Sequence, residues 1–296
     1  MENRAMKVSY YPGCSLDVTA KPYNLSTRQV CHSLGVELAD VPDWFCCGSS
    51  AGLKINHLLS LSLAAKNLAQ AEKQDIKDVL VPCPFCFRRL ISAQQEIQEN
   101  QASRDMILET IETELQAGLN IQHLLGFFHK AVGLDAIKVK ARKPLKGLKV
   151  VPYYGCYTVK PPQVTQFDDP ENPAAMDDIL AALGVEVLDW DFKTECCGAS
   201  LALTKTEKVL ELSGRILKEA IWRGADAIVV ACQLCQSNLD MRQPEIWKRE
   251  KQNQHLPVLY ITQIMGLAFG IPLKKLGLGS HIVDPTALIR EKGLLS

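Results

Sequence analysis

Slid against itself, the sequence matches at an offset that stays within 140 to 150 residues, and this internal repeat constrains the fold before any single residue is weighed. Residues 10–14 match 153–156, residues 35–37 match 184–186, residues 45–48 match 195–198, and residues 79–86 match 228–235. Each copy ends in an amphipathic stretch, 121–126 against 261–266. A basic, proline-containing segment at 138–147 lies between the copies and reads as a linker. A length of 296 residues suits two domains of ordinary size, so the expected division is residues 1–140 and 141–296, each with its own core.

Within each copy, short β-rich runs (8–11, 36–41 and 79–81; 148–154, 185–190 and 227–230) alternate with helical patterns. Thr204, with Glu207 three residues on, predicts a capping-box start for a helix running to about Arg223. Strand and helix in alternation predict an α/β fold: two domains related by a pseudo-two-fold, each with a small, mainly parallel sheet flanked by helices. The cysteines of the repeat then fall just past strand ends. In open α/β sheets that carboxyl edge is where ligands bind.

Copy one carries Cys14, then 31 residues, Cys46 and Cys47, then 35 residues, and Cys83 and Cys86 as a Cys-x-x-Cys pair. Copy two carries Cys156, 39 residues, Cys196 and Cys197, 34 residues, and Cys232 and Cys235. A lone Cys-x-x-Cys is shared by zinc ribbons and thiol redox motifs, whereas a repeated five-cysteine pattern is specific. Structural zinc takes four ligands in a closed tetrahedron, which leaves one thiol over in each copy, and adjacent cysteines share one small ion poorly. A cluster of several irons accommodates both features, and soft thiolates are its preferred ligands. The start of the chain has no apolar core of a secretory signal, so a cytoplasmic, reducing compartment is expected, where disulfides are rare.

Other residues are weighed against this reading. Gly13, Gly48, Gly155 and Gly198 flank the cysteines, where a missing side chain lets backbone N–H groups approach cluster sulfurs, although ordinary turns use glycine too. Residues 87–91 read as a helix start whose positive dipole end favours an anionic cluster. Cys31 has no counterpart in copy two and reads as a buried structural thiol, and the six histidines show no ligand spacing. The chain has 33 basic and 33 acidic residues and no run of like charge, which excludes a nucleic-acid footprint. No stretch reaches the roughly 20 apolar residues of a transmembrane span; the longest candidate, residues 261–273, is interrupted by Thr262, Gln263 and Pro272.

The two Cys-Cys-Gly patterns, with residues 168–173 and the Tyr-Gly-Cys segment ending at Cys156, resemble the B-type subunit of heterodisulfide reductase, the family named for its Cys-Cys-Gly domain. The resemblance covers nearly the whole chain. It implies one non-cubane [4Fe-4S] cluster per domain, the first on Cys14, Cys46, Cys47, Cys83 and Cys86 and the second on Cys156, Cys196, Cys197, Cys232 and Cys235. It also implies a substrate disulfide, such as that of coenzyme M and coenzyme B, held between the clusters. Electrons would come from a ferredoxin-like iron–sulfur partner resembling the C-type subunit of heterodisulfide reductase, and through it from a flavoprotein resembling the A-type one. Neither a ferredoxin-type four-cysteine motif nor a nucleotide-binding glycine motif occurs in the sequence, so another protein of the complex is expected to feed it.

The pairing has its own logic: reducing a disulfide takes two electrons, and an iron–sulfur cluster normally delivers one. Lys21 and Lys160 follow the first cysteine of each copy at similar distance and are candidate contacts for sulfonate or phosphate, against the plainer reading as solvated surface lysines. The second expectation is an electron relay between a dehydrogenase and quinone with no substrate of its own. Residues 261–273 would then dock a membrane partner, unless they pack in the core.

Overall fold

The apolar runs of each copy pair side by side as parallel strands. The computed structural model describes residues 6–49 and 52–294. In the first half β1 (Met6–Tyr10), β2 (Val36–Asp40), β3 (Asp78–Val81) and β4 (Asn120–His123) form a parallel sheet in the order β2-β1-β3-β4. In the second, β5 (Lys149–Tyr153), β6 (Glu186–Val187), β7 (Ala227–Val230) and β8 (Val258–Tyr260) repeat that order as β6-β5-β7-β8. The registers correspond: Val79 lies opposite Ile121 and Val81 opposite His123 in one half, Ile228 opposite Val258 and Val230 opposite Tyr260 in the other. The central strands are buried on both faces, and all four residues of β7 are inaccessible.

Six helices frame the cysteine sites and the seam between the halves: α1 (Lys21–Ser33), α2 (His57–Glu72), α3 (Pro84–Glu99), α4 (Thr206–Trp222), α5 (Gln233–Met241) and α6 (Ile261–Ala268). The structure departs from the sequence expectations in three places and decides a fourth that the sequence leaves open. Each half has an unexpected fourth strand, overlapping the start of the amphipathic stretch in the first half and just before it in the second, because Asn120–His123 and Val258–Tyr260 are too short and, in the first case, too polar to show a strand period. The run 185–190 keeps only two strand residues, since the chain leaves the sheet edge after Val187. Helix α4 begins at Thr206 without a side-chain cap: Thr204 closes a turn onto the Leu201 carbonyl at 3.0 Å, and Glu207 pairs with Arg249 instead. All eight residues of α6 are buried, so this stretch fills the core rather than presenting a membrane-docking face. Among the described residues no helix is long and apolar enough to cross a membrane.

The halves meet along a seam built by α1 and α6, where the Ser26 and Thr262 hydroxyls lie 2.6 Å apart. The Tyr23 ring stacks on Tyr260 at 4.3 Å between centroids, and its hydroxyl points at two backbone carbonyls, Ala231 at 3.2 Å and Pro82 at 3.4 Å. Those carbonyls belong to the residues just before Cys83 and Cys232, so one side chain ties together the two turns that carry the Cys-x-x-Cys pairs. Tyr23→Phe leaves both carbonyls without that donor in a buried place, at an expected cost of about 1–3 kcal/mol. Thermal unfolding followed by circular dichroism should show a Tm lower by several degrees; an unchanged Tm would mean that the hydroxyl does not hold the seam.

Candidate metal centres

In each half the first cysteine follows the first strand, the Cys-Cys pair follows the second and the Cys-x-x-Cys follows the third, so parallel pairing delivers all five to one sheet edge. In the first half Cys47 and Cys86 lie 3.3 Å apart at sulfur, and Cys14 and Cys46 lie 3.8 Å apart. Cys83 is the residue before helix α3, in extended conformation, and its sulfur accepts the Cys86 N–H at 3.4 Å. The helix therefore starts at Pro84 rather than after Cys86, and places sulfur directly on its positive dipole end.

Cys232 stands in the same extended place before α5 without capping it, and other devices are shared by both halves. Tyr11 donates its hydroxyl to the carbonyl of Phe45 at 2.6 Å, and Tyr153 donates to that of Glu195 at 2.6 Å, each carbonyl lying just before a Cys-Cys pair. Gly13 and Gly155 have φ of +72° and +70°, and a Cβ on either would stand 2.9 Å from the sulfur of Cys86 or Cys235. The empty space at these two glycines is what lets the first cysteine and the Cys-x-x-Cys converge. Ser213 and Asn238 both donate to the Cys197 carbonyl, at 3.2 and 3.1 Å, and the Gly198 N–H reaches the Cys196 sulfur at 3.3 Å.

A buried ion pair fixes the first turn of the second half. Lys193 is 7% exposed and pairs with Asp177 at 2.7 Å; it also donates to the Pro173 carbonyl at 3.2 Å. The Lys193 carbonyl accepts the N–H groups of Tyr154 and Gly155, at 2.9 and 3.1 Å. Asp168 folds residues 168–175 by accepting the Ala174 and Ala175 N–H groups, which brings Pro173 to Lys193.

The thiols share protons. Hydrogen bonds from Cys46 and Cys86 pull Cys47 down to about 4 against its burial, aided by the Ser49 N–H and the nearby Arg89 guanidinium. Burial works against the charge on Cys83, but hydrogen bonds from Cys86 and from the Gln233 amide outweigh it and leave the thiol lowered. In the second half the Cys156 thiol brings Cys196 down to about 6, and that of Cys235 lowers Cys197. Each group of cysteines thus holds thiolate character, the form that binds metal. Cys31 is different: it is inaccessible in α1, and burial, only partly offset by Arg28, pushes it up to about 12. Burial likewise holds His123 neutral, down to about 4.

The two sites adjoin. Gln233, between Cys232 and Cys235, donates its amide to the Cys83 sulfur at 2.8 Å. In return Pro84 and Phe85, between Cys83 and Cys86, wall a narrow cleft that is lined by Cys156, Cys196, Cys197, Cys232 and Cys235. Phe85 stacks on Tyr157 at 4.0 Å across the seam, and Arg88 lies over the same Tyr157 ring at 4.6 Å. Among the described residues no three Cys, His, Asp or Glu side chains are placed to hold a single metal ion. Five soft donors around one open cleft suit a larger, all-thiolate inorganic group. Lys21 is the exposed first residue of α1, and Lys160 pairs with the exposed Glu171 at 3.1 Å; neither lines the cleft. In the sequence the side chains between the paired cysteines look like spacers, and only their opposite placement across the repeat, Pro84 against Gln233, hints at a role.

Two α/β halves, each bringing five cysteines to the edge of a four-stranded parallel sheet, define a duplicated cysteine-rich domain protein. The family model for the cysteine-rich domain (CCG) matches at residues 8–91 and again at 150–240. The chain belongs to this family, as a relative of the B-type subunit of heterodisulfide reductase. It is 31% identical to the 8-methylmenaquinol:fumarate reductase membrane anchor subunit of Wolinella succinogenes, over 95% of this chain and 98% of that one. It is 28% identical to the B-type subunit of the ferredoxin:CoB-CoM heterodisulfide reductase of Methanosarcina mazei, over 94% of each chain. A solved structure of a hypothetical protein from Helicobacter pylori shares the fold, with a TM-score of 0.72 at 13% identity over 95% of this chain and 53% of that one.

Gly13→Ala and Gly155→Ala each force a left-handed backbone on alanine, at about 1–3 kcal/mol, and push a methyl into a cysteine sulfur. Each variant is expected to lose metal from its own half while the other half keeps it, as read from iron content and Tm of anaerobically purified protein.

Proposed function

We propose that this chain is the disulfide-reducing subunit of an oxidoreductase complex, with one four-iron, non-cubane cluster in each half. The observation that carries the reading is the contact between the two five-thiol sites, Gln233 on the Cys83 sulfur and Phe85 in the wall of the second cleft. Clusters held on these thiols would supply electrons one at a time and soft iron sites for sulfur. The reaction is R–S–S–R′ with two electrons and two protons giving R–SH and R′–SH. Cys14, Cys46, Cys47, Cys83 and Cys86 hold one cluster, and Cys156, Cys196, Cys197, Cys232 and Cys235 the other. Pro84, Phe85 and Tyr157 form an apolar wall that keeps water from the second site. Lys21, and Lys160 on release of its exposed partner Glu171, are the cations for a sulfonate or phosphate on the substrate; an exposed pair of this kind is worth little and exchanges readily. The partner is an iron–sulfur protein, and the ferredoxin in the name of the Methanosarcina relative supports a donor of that kind.

The Wolinella relative favours a second reading, in which the chain relays electrons between a quinol and a reductase and has no substrate of its own.

Anaerobically purified protein should contain about eight irons and about eight sulfides per chain. Cys31→Ala should leave that content unchanged, whereas Cys46→Ala and Cys197→Ala should each remove about half. Stoichiometric zinc with little sulfide would sink the cluster reading. With an artificial electron donor the intact protein should reduce a small-molecule disulfide, and loss of either cluster should abolish turnover. A chain that carries both clusters, takes electrons from a menaquinol analogue and leaves every disulfide untouched belongs to the relay reading.

A further inference from the structure

Two Lys or Arg side chains are buried among the described residues, and they differ in what surrounds them. Lys193 has its carboxylate, Asp177, at 2.7 Å. Arg89, one turn past Cys86 in α3, is 8% exposed, its Nε has no hydrogen-bond partner, and no carboxylate pairs with it among the described residues. A cation is not kept out of water without a counter-charge except at a large cost. Among the described residues the polypeptide offers Arg89 no acid. Beside it stands Arg88, itself positive, and one turn before it in α3 is Cys86, whose sulfur lies 3.3 Å from that of Cys47.

The repeat shows what this means for the two sites. Arg89 stands six residues after Cys83, and the residue six after Cys232 is Asn238. Asn238 donates its amide to the Cys197 carbonyl at 3.1 Å and lies 3.8 Å from the Cys197 sulfur. Equivalent positions thus stand one turn past the Cys-x-x-Cys in each half, with a full positive charge in the first and, in the second, a neutral amide that donates to Cys197.

We propose that Arg89 is the built-in counter-charge of the first thiol site, with no equal in the second, and that it makes the first cluster the one reduced first. The step is one-electron: a reductant gives up one electron, the cluster gains it, and no bond is made or broken. The added negative charge sits beside a cation in a site shielded from water, where Coulomb attraction is strong, so the reduced form is favoured on this side. Electrons entering the chain would therefore collect at the first half, across the Gln233 and Cys83 contact from the second.

This inference rests on the cluster reading, and the two fail separately, since iron and sulfide content tests the clusters and midpoint potential tests Arg89. The experiment is an anaerobic dithionite titration of the full chain with mediators, followed by electron paramagnetic resonance. Cys46→Ala, which keeps the second site intact, identifies the second couple. In Arg89→Gln the reduced-to-oxidised ratio of the first couple, read at its wild-type midpoint, should fall at least about tenfold, which is about 59 mV for a one-electron couple, with the second couple unmoved. Arg89→Lys keeps the charge and should stay within about threefold of the wild type. An unmoved first couple in Arg89→Gln, equal movement of both couples, or a Lys variant shifted as far as the Gln variant overturns the proposal. If Arg89→Gln retains only half the iron, Arg89→Lys decides: full iron with an unshifted first couple supports the counter-charge, and loss of iron there too assigns Arg89 to packing.

Discussion

The arrangement depends on two Cys-x-x-Cys turns being pressed together at the seam. A parallel sheet ends in a row of backbone groups at its carboxyl edge, and here the edges of both sheets face the same interior region. Tyr23 answers part of that need with one hydroxyl between two carbonyls. Gln233 and Phe85 then cross the seam in opposite directions, each leaving its own turn to complete the surroundings of the other. Neither half is a finished site by itself, because each takes a wall or a hydrogen bond from its neighbour.

The thiols are organised in advance of any metal. Cys47 and Cys83 share the single thiol proton of Cys86, and Cys197 takes that of Cys235, so in each half one buried sulfur keeps its proton while its neighbours drop toward thiolate. Binding a thiolate-ligated group displaces the remaining protons, so the sites exchange internal hydrogen bonds for metal bonds with little rearrangement of the chain. Cys31 lacks such a partner thiol, and its burial keeps it protonated.

Much of the fold is legible in the sequence because the repeat and the alternation of strand and helix are strong signals; the two four-stranded parallel sheets have the expected class and symmetry. What escapes is short or non-local. Asn120–His123 has one apolar residue in four, and its role as an edge strand is set by pairing with β3, which no local pattern records. Thr204 has the composition of a cap, yet the turn on Leu201 and the attraction of Glu207 to Arg249 win. The cysteine convergence can be anticipated from strand order alone. The side chains that join the sites cannot, since Gln233 meets Cys83 over a separation of 150 residues, and Arg89 reads only as part of a helix start. Its offset from Cys83, the same as that of Asn238 from Cys232, is the available clue.

Exposure divides each group of cysteines into a mouth and a floor. Cys14 and Cys46 are exposed and Cys156 and Cys196 partly or fully so, while both Cys-x-x-Cys pairs and the second member of each Cys-Cys pair are buried. Anything delivered from solution meets the mouth thiols first, and the buried floor lies beneath them. The same geometry sets the direction of damage: oxygen or peroxide arriving from solvent attacks at the mouth, and the three floor sulfurs of each half are the last to be reached.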